Sequence, residues 1–434
     1  MKALLIILDG LGDRTAPETG FQTPLQFAST PNLDKLAAKG MSGLMYPLSP
    51  GTAPATELAH FALFGYPLAC FPGRAVFEAI GEGLELNDRE VVLRASFASV
   101  EDRGDSLAVV DRVIDTDEET LSKLAEEVKE NRFGGIDFQF VYNSKRQGIL
   151  FLRGEASQDV TDSDPFANNQ PVMKVRAFEE TKEFEKAVHT AECLNQFLRW
   201  AYGKLNEHSI NDYRRKKSLK PINFLVSRWA GLRRKIPSFY EMYGFRGLMV
   251  ASGPMLKGLA SEIGLEFLEA EEPEDAEEDL SKRIKTAREA LSTKYDFVHI
   301  HTKAPDRAAH KKDPLLKAKV IEKLDSALEI LISDEIFTED TLIIISSDHS
   351  TPSTGSLIHS GEPVPILFVG KSIRRDTVKE FDEIACLNGA LGQISGKDLM
   401  LLILNFSDRI KYFGSRLTAR NVPYYPVDTN LLEK

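Results

Sequence analysis

Six side chains of metal-binding type follow apolar runs in this chain: Asp9, Asp306, His310, Asp348, His349 and His359. Asp9 closes the run Ala3–Leu8 and is followed by Gly10. Asp306 and His310 come shortly after the run Tyr295–Ile300 and are four residues apart, which puts them on one face of a helical turn. Asp348 and His349 end the β-branched run Thr341–Ile345, and His359 stands ten residues beyond His349. Carboxylate oxygens and imidazole nitrogens in one set bind divalent cations, and mixed sets favour Zn²⁺ or Mn²⁺ over a plain Mg²⁺ site. Adding the hydroxyl of Thr56 gives seven potential ligands, enough for two ions with three to four protein ligands each. Two such ions in one site can clamp a phosphoryl group, acidify a hydroxyl and stabilise a leaving oxygen.

Thr56 follows the Pro50–Pro54 loop and opens the helical pattern Leu58, Phe61, Ala62. A helix N-terminus offers free N–H groups and the positive end of the dipole to a phosphoryl group. Taken alone, Thr56 reads more readily as only the N-cap of that helix, although one hydroxyl can be both cap and nucleophile. Threonine is a weak nucleophile until a metal ion acidifies it.

These groups need a scaffold. Lys2–Leu8, Leu248–Ala251, Leu265–Leu268, Tyr295–Ile300, Thr341–Ile345 and Val364–Val369 read as strands, most of them buried on both faces. Between them lie helical patterns at Pro31–Gly40, Pro254–Ile263, from Pro314, and Lys397–Asn405. Open α/β sheets bind ligands beyond the carboxyl ends of their strands, where the acids and imidazoles stand. The middle of the chain differs. Val91–Phe97, Ser106–Val113, Phe138–Val141 and Ile149–Arg153 alternate as antiparallel strands do, and Thr181–Lys204 reads as a long helix. The expected architecture is therefore α/β, a mostly parallel sheet sandwiched by helices and interrupted by an inserted α+β domain: core 1–72, insertion 73–245, core 246–434. The basic segments Arg214–Lys217 and Arg233–Lys235 are either a solvated face or an anion site. Trp200 and Trp229 are expected in the core, and the tail after Lys411 on the surface.

Composition narrows the class. The 434 residues carry 54 basic and 65 acidic side chains, a net charge of −11, which argues against a general nucleic-acid binder. No apolar run approaches the ~18 residues of a membrane span, and the start MKALLIILDG is too short and wrongly flanked for a signal peptide. Cys70, Cys193 and Cys386 are scattered, so neither a disulfide framework nor a cysteine zinc site is expected. The expected location is the cytoplasm.

Several motifs together resemble the alkaline phosphatase superfamily, and within it the archaeal-type cofactor-independent (2,3-bisphosphoglycerate-independent) phosphoglycerate mutases. They are Asp9-Gly10; Ala55-Thr56-Glu57-Leu58-Ala59-His60 with Phe64-Gly65-Tyr66; Asp306-x₃-His310; Ser347–Pro352; and His359–Pro365. Gly73-Arg74, Phe77–Gly81, Arg228 with Ala230-Gly231, and Lys257-Gly258 extend the likeness over most of the chain. The resemblance implies that Asp9, Thr56, Asp348 and His349 hold one ion, and Asp306, His310 and His359 the other. It implies that Thr56 takes the phosphoryl group covalently while the inserted domain grips the substrate. His60, Arg74, Arg94, Arg228 and Lys257 become the expected substrate contacts, with His60 also placed to buttress the Thr56 loop.

Departures from the family pattern concern the substrate more than the metals. Thr56 replaces the usual Ser. Arg94-Ala95-Ser96 stands for Arg-Cys-Asn, Asp111–Asp115 lacks arginines of the Asp-Arg-Arg-Ala-Gly-Arg motif, and the acidic run Glu269–Asp279 replaces a Gly-Ala-Thr-Gly-Asp-Thr-Asn loop. The segment Arg307–Ala309 is less acidic than in the family.

The leading expectation is a phosphomutase that interconverts 2- and 3-phosphoglycerate through phospho-Thr56. It uses two divalent ions, Mn²⁺ or Zn²⁺ with Mg²⁺ possible, and a small phosphorylated substrate, and it contacts neither nucleic acid nor membrane. Its oligomeric state is open. A metal-dependent phosphatase, phosphodiesterase or small-molecule phosphotransferase needs only a different acceptor. A non-catalytic relative is the third reading, and the intact ligand set speaks against it.

Overall fold

The apolar runs that carry the candidate ligands become neighbouring strands. Phe297–Thr302, Lys2–Leu8 and Thr341–Ser346 lie side by side and parallel, so their carboxyl ends share one edge. Both faces of each strand are covered, which is why their sequences are apolar at consecutive positions. The register pairs Ile7 with Ser346; two residues on, Asp9 is level with Asp348.

The computed structural model of the chain describes residues 1–144 and 146–426. The reading of the tail beyond Lys411 falls partly on residues 427–434, outside the described residues. The chain divides into two units, Met1–Phe71 with the chain from Ile236 onward, and Pro72–Lys235. Residues 236–245, which the sequence reading assigns to the insertion, pack within the first unit. There Tyr66 Oη donates to Pro237 O (3.0 Å) and Tyr243 Oη to Phe64 O (2.9 Å).

Among the described residues, the sheet of the first unit has eight strands. Their order is Glu266–Glu269, Gly247–Ala251, Phe297–Thr302, Lys2–Leu8, Thr341–Ser346, Val364–Val369, Met41–Tyr46, Gly392–Ser395. All neighbours are parallel except that Val364–Val369 runs antiparallel to both strands beside it. One face carries Leu4, Ile6, Leu8, Val298 and Ile300 against Leu280, Ile284, Ile321 and Leu324 of the helices Ala276–Leu291 and Pro314–Ala327. Burying each such side chain contributes about 1.5–3 kcal/mol. Alternation along Phe297–Thr302 turns His299 and His301 to the opposite face. There His299 meets Phe64, the C-cap of the helix Thr56–Leu63, edge-on, with ring centroids 5.4 Å apart.

Two buried polar networks pin the edge that carries the ligands. Lys317 Nζ donates to Gly12 O (3.0 Å), Thr351 O (2.9 Å) and Asp13 Oδ2 (2.9 Å), tying together the loops that follow Asp9 and His349. Arg283 pairs with Asp279 at 2.8 Å, and Asp279 Oδ2 accepts from the hydroxyl of Thr302, the last residue of its strand. Within the acidic run Glu269–Asp279, Asp275 caps the helix Ala276–Leu291 and Asp279 is buried.

The second unit is α+β. Among its described residues a seven-stranded sheet centres on Val91–Asp102, which pairs antiparallel with Leu107–Asp111, Gln147–Arg153 and Phe224–Leu232. The long helix is Phe184–Asn206, and Phe197 stacks on Phe138 of the sheet with centroids 4.9 Å apart. Arg214 and Arg215 of the basic segment are taken up by carbonyls, Arg214 by Lys220 O and Asp115 O, Arg215 by Asn206 O, as suits the last turn of a helix.

Candidate metal centre and nucleophile

The loop after Lys2–Leu8 turns at Gly10 in the left-handed region (φ +65°). A Cβ there would stand 2.5 Å from Thr351 Oγ1 and 2.9 Å from Asp306 Cβ, so only glycine lets the Asp9 loop pass this close to the other two strand ends. Gly10 N–H donates to Asp348 Oδ1 at 3.3 Å and leaves Oδ2 free.

His349 Nε2 is the meeting point of the buried set. It lies 3.1 Å from Asp9 Oδ1, 3.3 Å from Asp348 Oδ2 and 3.3 Å from Thr56 Oγ1. Asp9 Oδ1 and Asp348 Oδ2 are buried and have no hydrogen-bond partner. Buried carboxylate oxygens normally find donors; two of them converging on an imidazole nitrogen is what a cation would require. Burial opposes charge on Asp9, but His349 and His301 outweigh it and hold the carboxyl well below the usual carboxylate range. Burial and the Asp9 charge push Asp348 well up. For His349 burial opposes the charged form, yet Asp348 and Asp9 push the imidazole up to about 9.

Asp306, His310 and His359 form the second set, their ligand atoms within 4.8 Å of one another. Asp306 stands on the short helix Ala304–Ala309 with His310 as its C-cap, and Oδ2 lies 3.2 Å from His310 Nε2. His359 Nε2 is 3.7 Å from Asp306 Oδ1. This set is the accessible one, with the His310 side chain 40% exposed. Asp306 also lies within reach of Asp9 and His349, which links the two sets.

Hydrogen bonds behind the ligands fix which imidazole nitrogen is bare. His359 Nδ1 is 2.7 Å from Pro54 O, an acceptor only, so Nδ1 carries the proton and Nε2 presents its lone pair. Thr351 donates its hydroxyl proton to Asp306 Oδ1 (2.8 Å) and is left to accept from His349 Nδ1 (3.0 Å), which makes Nε2 the nitrogen that gives up its proton to a cation. Thr351 lies in the Ser347–Pro352 motif, which assigns it no role, and Lys317 does not stand out because a lysine on a helix is an ordinary residue.

Thr56 is the first residue of the helix Thr56–Leu63; Ala55 is its N-cap. The hydroxyl therefore does not cap the helix and faces His349 instead. His60, one turn on, is fully buried and bonds through Nδ1 to Thr56 O at 2.8 Å, so it buttresses the loop. Burial, with His301 beside it, lowers His60 to about 3.

Of the expected substrate contacts other than His60, Lys257 belongs to the first unit and Arg74, Arg94 and Arg228 to the second. Lys257 is exposed on the helix Pro254–Ile263 of the first unit. The three arginines gather in the second unit. Arg94 is enclosed by Glu82 Oε1 (2.6 Å), Glu78 Oε2 (3.2 Å) and Gln147 Oε1 (2.9 Å). Arg74 and Arg228 lie 4.0 and 4.3 Å from the ring of Trp229, which is half-buried between guanidinium groups rather than in a core. Arg228 shares Asp164 with Arg112, at 2.9 and 2.7 Å. Beside them is a cavity of about 170 Å³ lined by Arg112, Arg146, Arg228, Gln147 and Asp164, a setting suited to an anion.

Sequence comparison places this geometry in context. Residues 1–406 match the Metalloenzyme superfamily. The chain is 44% identical to the 2,3-bisphosphoglycerate-independent phosphoglycerate mutase 2 of Methanocaldococcus jannaschii, over 99% of each chain. It is 37% identical to the corresponding mutase of Methanopyrus kandleri, over 95% of this chain and 98% of that one. Among solved structures, it resembles the cofactor-independent phosphoglycerate mutase of Thermoplasma acidophilum with a TM-score of 0.63 and 30% identity, over 94% of this chain and all of that one. A protein of Pyrococcus horikoshii matches with a TM-score of 0.76 and 31% identity, over 95% of this chain and 99% of its own.

Proposed function

The chain belongs to the Metalloenzyme superfamily and to its 2,3-bisphosphoglycerate-independent phosphoglycerate mutases, and from that premise we propose that it moves a phosphoryl group between the 2- and 3-hydroxyls of glycerate through Thr56. The observation that carries this reading is the Thr56 hydroxyl, uncapped at a helix N-terminus and 3.3 Å from His349 Nε2, among carboxylate oxygens that lack donors.

Asp9, Thr56, Asp348 and His349 would hold one divalent cation, and Asp306, His310 and His359 the other. When bound, the two cations would neutralise the phosphoryl oxygens and lower the pKa of the Thr56 hydroxyl. The mixed carboxylate and imidazole set fits Mn²⁺ or Zn²⁺. Thr56 Oγ gives up its proton and attacks phosphorus, the Oγ–P bond forms, the P–O bond to glycerate breaks, and the leaving oxygen takes up one proton, so the step is neutral in protons. The glycerate then turns, and its other hydroxyl attacks phospho-Thr56 to restore the free side chain. The helix N-terminus at Thr56 favours the added negative charge. His60 fixes the backbone of Thr56, and Thr351 holds His349 and Asp306 in the ligating orientation. Arg74, Arg228 and Arg112 supply guanidinium groups for the substrate's carboxylate or phosphate, and Lys257 supplies an ammonium; Arg94 orders the arginine cluster through Glu78 and Glu82.

A second reading keeps the site and makes water the acceptor. It is favoured by the enclosure of Arg94 and by the segment Asp111–Asp115, which lacks arginines of the family motif. A discontinuous assay on 3-phosphoglycerate with Mn²⁺ separates the two: 2-phosphoglycerate is the expected product, and free phosphate without it would replace the mutase with a phosphatase. Among the described residues no helix is long and apolar enough to cross a membrane.

A further inference from the structure

The strand Phe224–Leu232 carries a bulge at Trp229. Its register against Val91–Asp102 pairs Arg228 with Arg94 and Gly231 with Val92, so Trp229 and Ala230 together oppose Leu93 alone. Trp229 takes φ +59°, in the left-handed region. Glycine is the residue that suits such a place in a bulge, because a Cβ and a large ring are strained there. Asp162 Oδ1 holds the bulge by accepting from Trp229 N–H at 2.7 Å.

Neighbouring side chains on a regular strand point to opposite faces. The bulge breaks that alternation, and the guanidinium of Arg228 lies 4.3 Å from the centroid of the ring next to it in sequence. Arg74, the first residue of the helix Arg74–Gly81, lies 4.0 Å from the same ring. Phe166 is also left-handed (φ +58°), and its ring centroid is 6.3 Å from that of Trp229. The guanidinium groups of Arg112 and Arg228 stand 5.6 and 5.7 Å from the Phe166 ring. Arg112 and Arg228 share the Asp164 carboxylate, and Arg228 Nε is buried with no hydrogen-bond partner. Strained backbone persists where its surroundings over-determine it, and it collects at ligand clamps. A ring set in a glycine's place against two guanidinium groups fixes their planes, and so removes rotamer freedom that binding an anion would otherwise have to remove.

We propose that Trp229 is a positioning residue that holds the guanidinium groups of Arg74 and Arg228 in place for an oxyanion of the substrate. The inference rests on the phosphoglycerate reading for the identity of that substrate, and not on which acceptor receives the phosphoryl group.

Trp229→Gly suits the backbone and removes the ring. In the metal-loaded protein it is expected to raise KM for 3-phosphoglycerate about tenfold, through the lost cation–π contacts. The value of kcat should stay within about twofold, and the thermal midpoint should change little. Trp229→Phe, which keeps a ring, is expected to recover most of the loss in KM. A merely structural tryptophan would instead lower the midpoint and leave KM as it was, and that result overturns the proposal. A second measurement needs no turnover. The chain has two tryptophans, so Trp200→Phe leaves Trp229 as the one indole. Titrating that metal-loaded protein with 3-phosphoglycerate is expected to shift its emission. A shift without formation of 2-phosphoglycerate upholds the positioning role and removes the mutase; normal turnover with KM unmoved by Trp229→Gly does the reverse. Should Trp229→Gly fail to fold, the emission titration decides, and unchanged emission at millimolar 3-phosphoglycerate overturns the proposal.

Discussion

The Thr56 hydroxyl lies 3.3 Å from His349 Nε2. This contact joins a helix N-terminus to the loop after a central strand, across almost 300 residues of sequence. It puts the one uncommitted hydroxyl of the Thr56 loop among the oxygens Asp9 Oδ1 and Asp348 Oδ2.

Replacing that hydroxyl tests its role. Thr56→Ala is expected to lower turnover of 3-phosphoglycerate by on the order of 10⁴- to 10⁶-fold, as loss of a nucleophile does elsewhere. Bound metal, measured on the same preparation, should stay near the unaltered content. Thr56→Ser, which keeps the hydroxyl, should retain most of the activity.

The Thr351 hydroxyl links His349 Nδ1 to Asp306 Oδ1. Thr351→Val preserves the shape and removes both bonds. Loss of such an orienting contact weakens metal binding by about 10- to 100-fold, which competition against a chelating dye would read. Unchanged affinity would remove Thr351 from the account.

Lys317 is wholly buried, and its ammonium ties Gly12, Asp13 and Thr351. Lys317→Met strands the Asp13 carboxylate in the interior, at about 3–5 kcal/mol. Urea unfolding of the metal-free protein should show that loss. The double variant Lys317→Met with Asp13→Asn should recover part of it, because no buried charge is left alone.

Metal binding should depend on pH through His349. Asp348 and Asp9 raise its imidazole from the ordinary 6.5 to about 9 in the metal-free protein, against the opposing effect of burial. A cation must displace that proton, so affinity rises with pH and levels off above about 9, with a proton released on binding below it. The stability of the metal-free protein runs the other way. The contribution of charged His349 is complete below about 6.5 and is lost as pH rises through about 9. Calorimetry in buffers of different ionisation heat would count the proton; no proton release near pH 7 would contradict this.

Much of the scaffold is legible in the chain because strands buried on both faces must be apolar throughout. Lys2–Leu8 and Thr341–Ser346 announce themselves in that way. Their adjacency does not, since nothing local in either segment specifies its lateral neighbour. The run Tyr295–Ile300 extends in the structure to Thr302, because Thr302 and His301 are held in the strand by pairing with Leu8 and Ile7. His299 lies inside that run and His301 just beyond it, and their two-residue spacing carried the signal that they share a face. Thr56 reads as a cap from sequence; the helix begins one residue earlier in its capping scheme, with Ala55 in the cap position, and that frees the hydroxyl. Arg94 looks like an anion ligand until Glu78, Glu82 and Gln147 are seen around it, partners that only the folded sheet brings within reach.

The most direct test is to mix the metal-loaded protein with 3-phosphoglycerate, quench in acid within one turnover, and map the phosphoryl group by peptide mass spectrometry. The account predicts a phosphoryl group on Thr56, with 2-phosphoglycerate accumulating on the same timescale. A phosphoryl group on another residue, or 2-phosphoglycerate formed by Thr56→Ala at the unaltered rate, would contradict it.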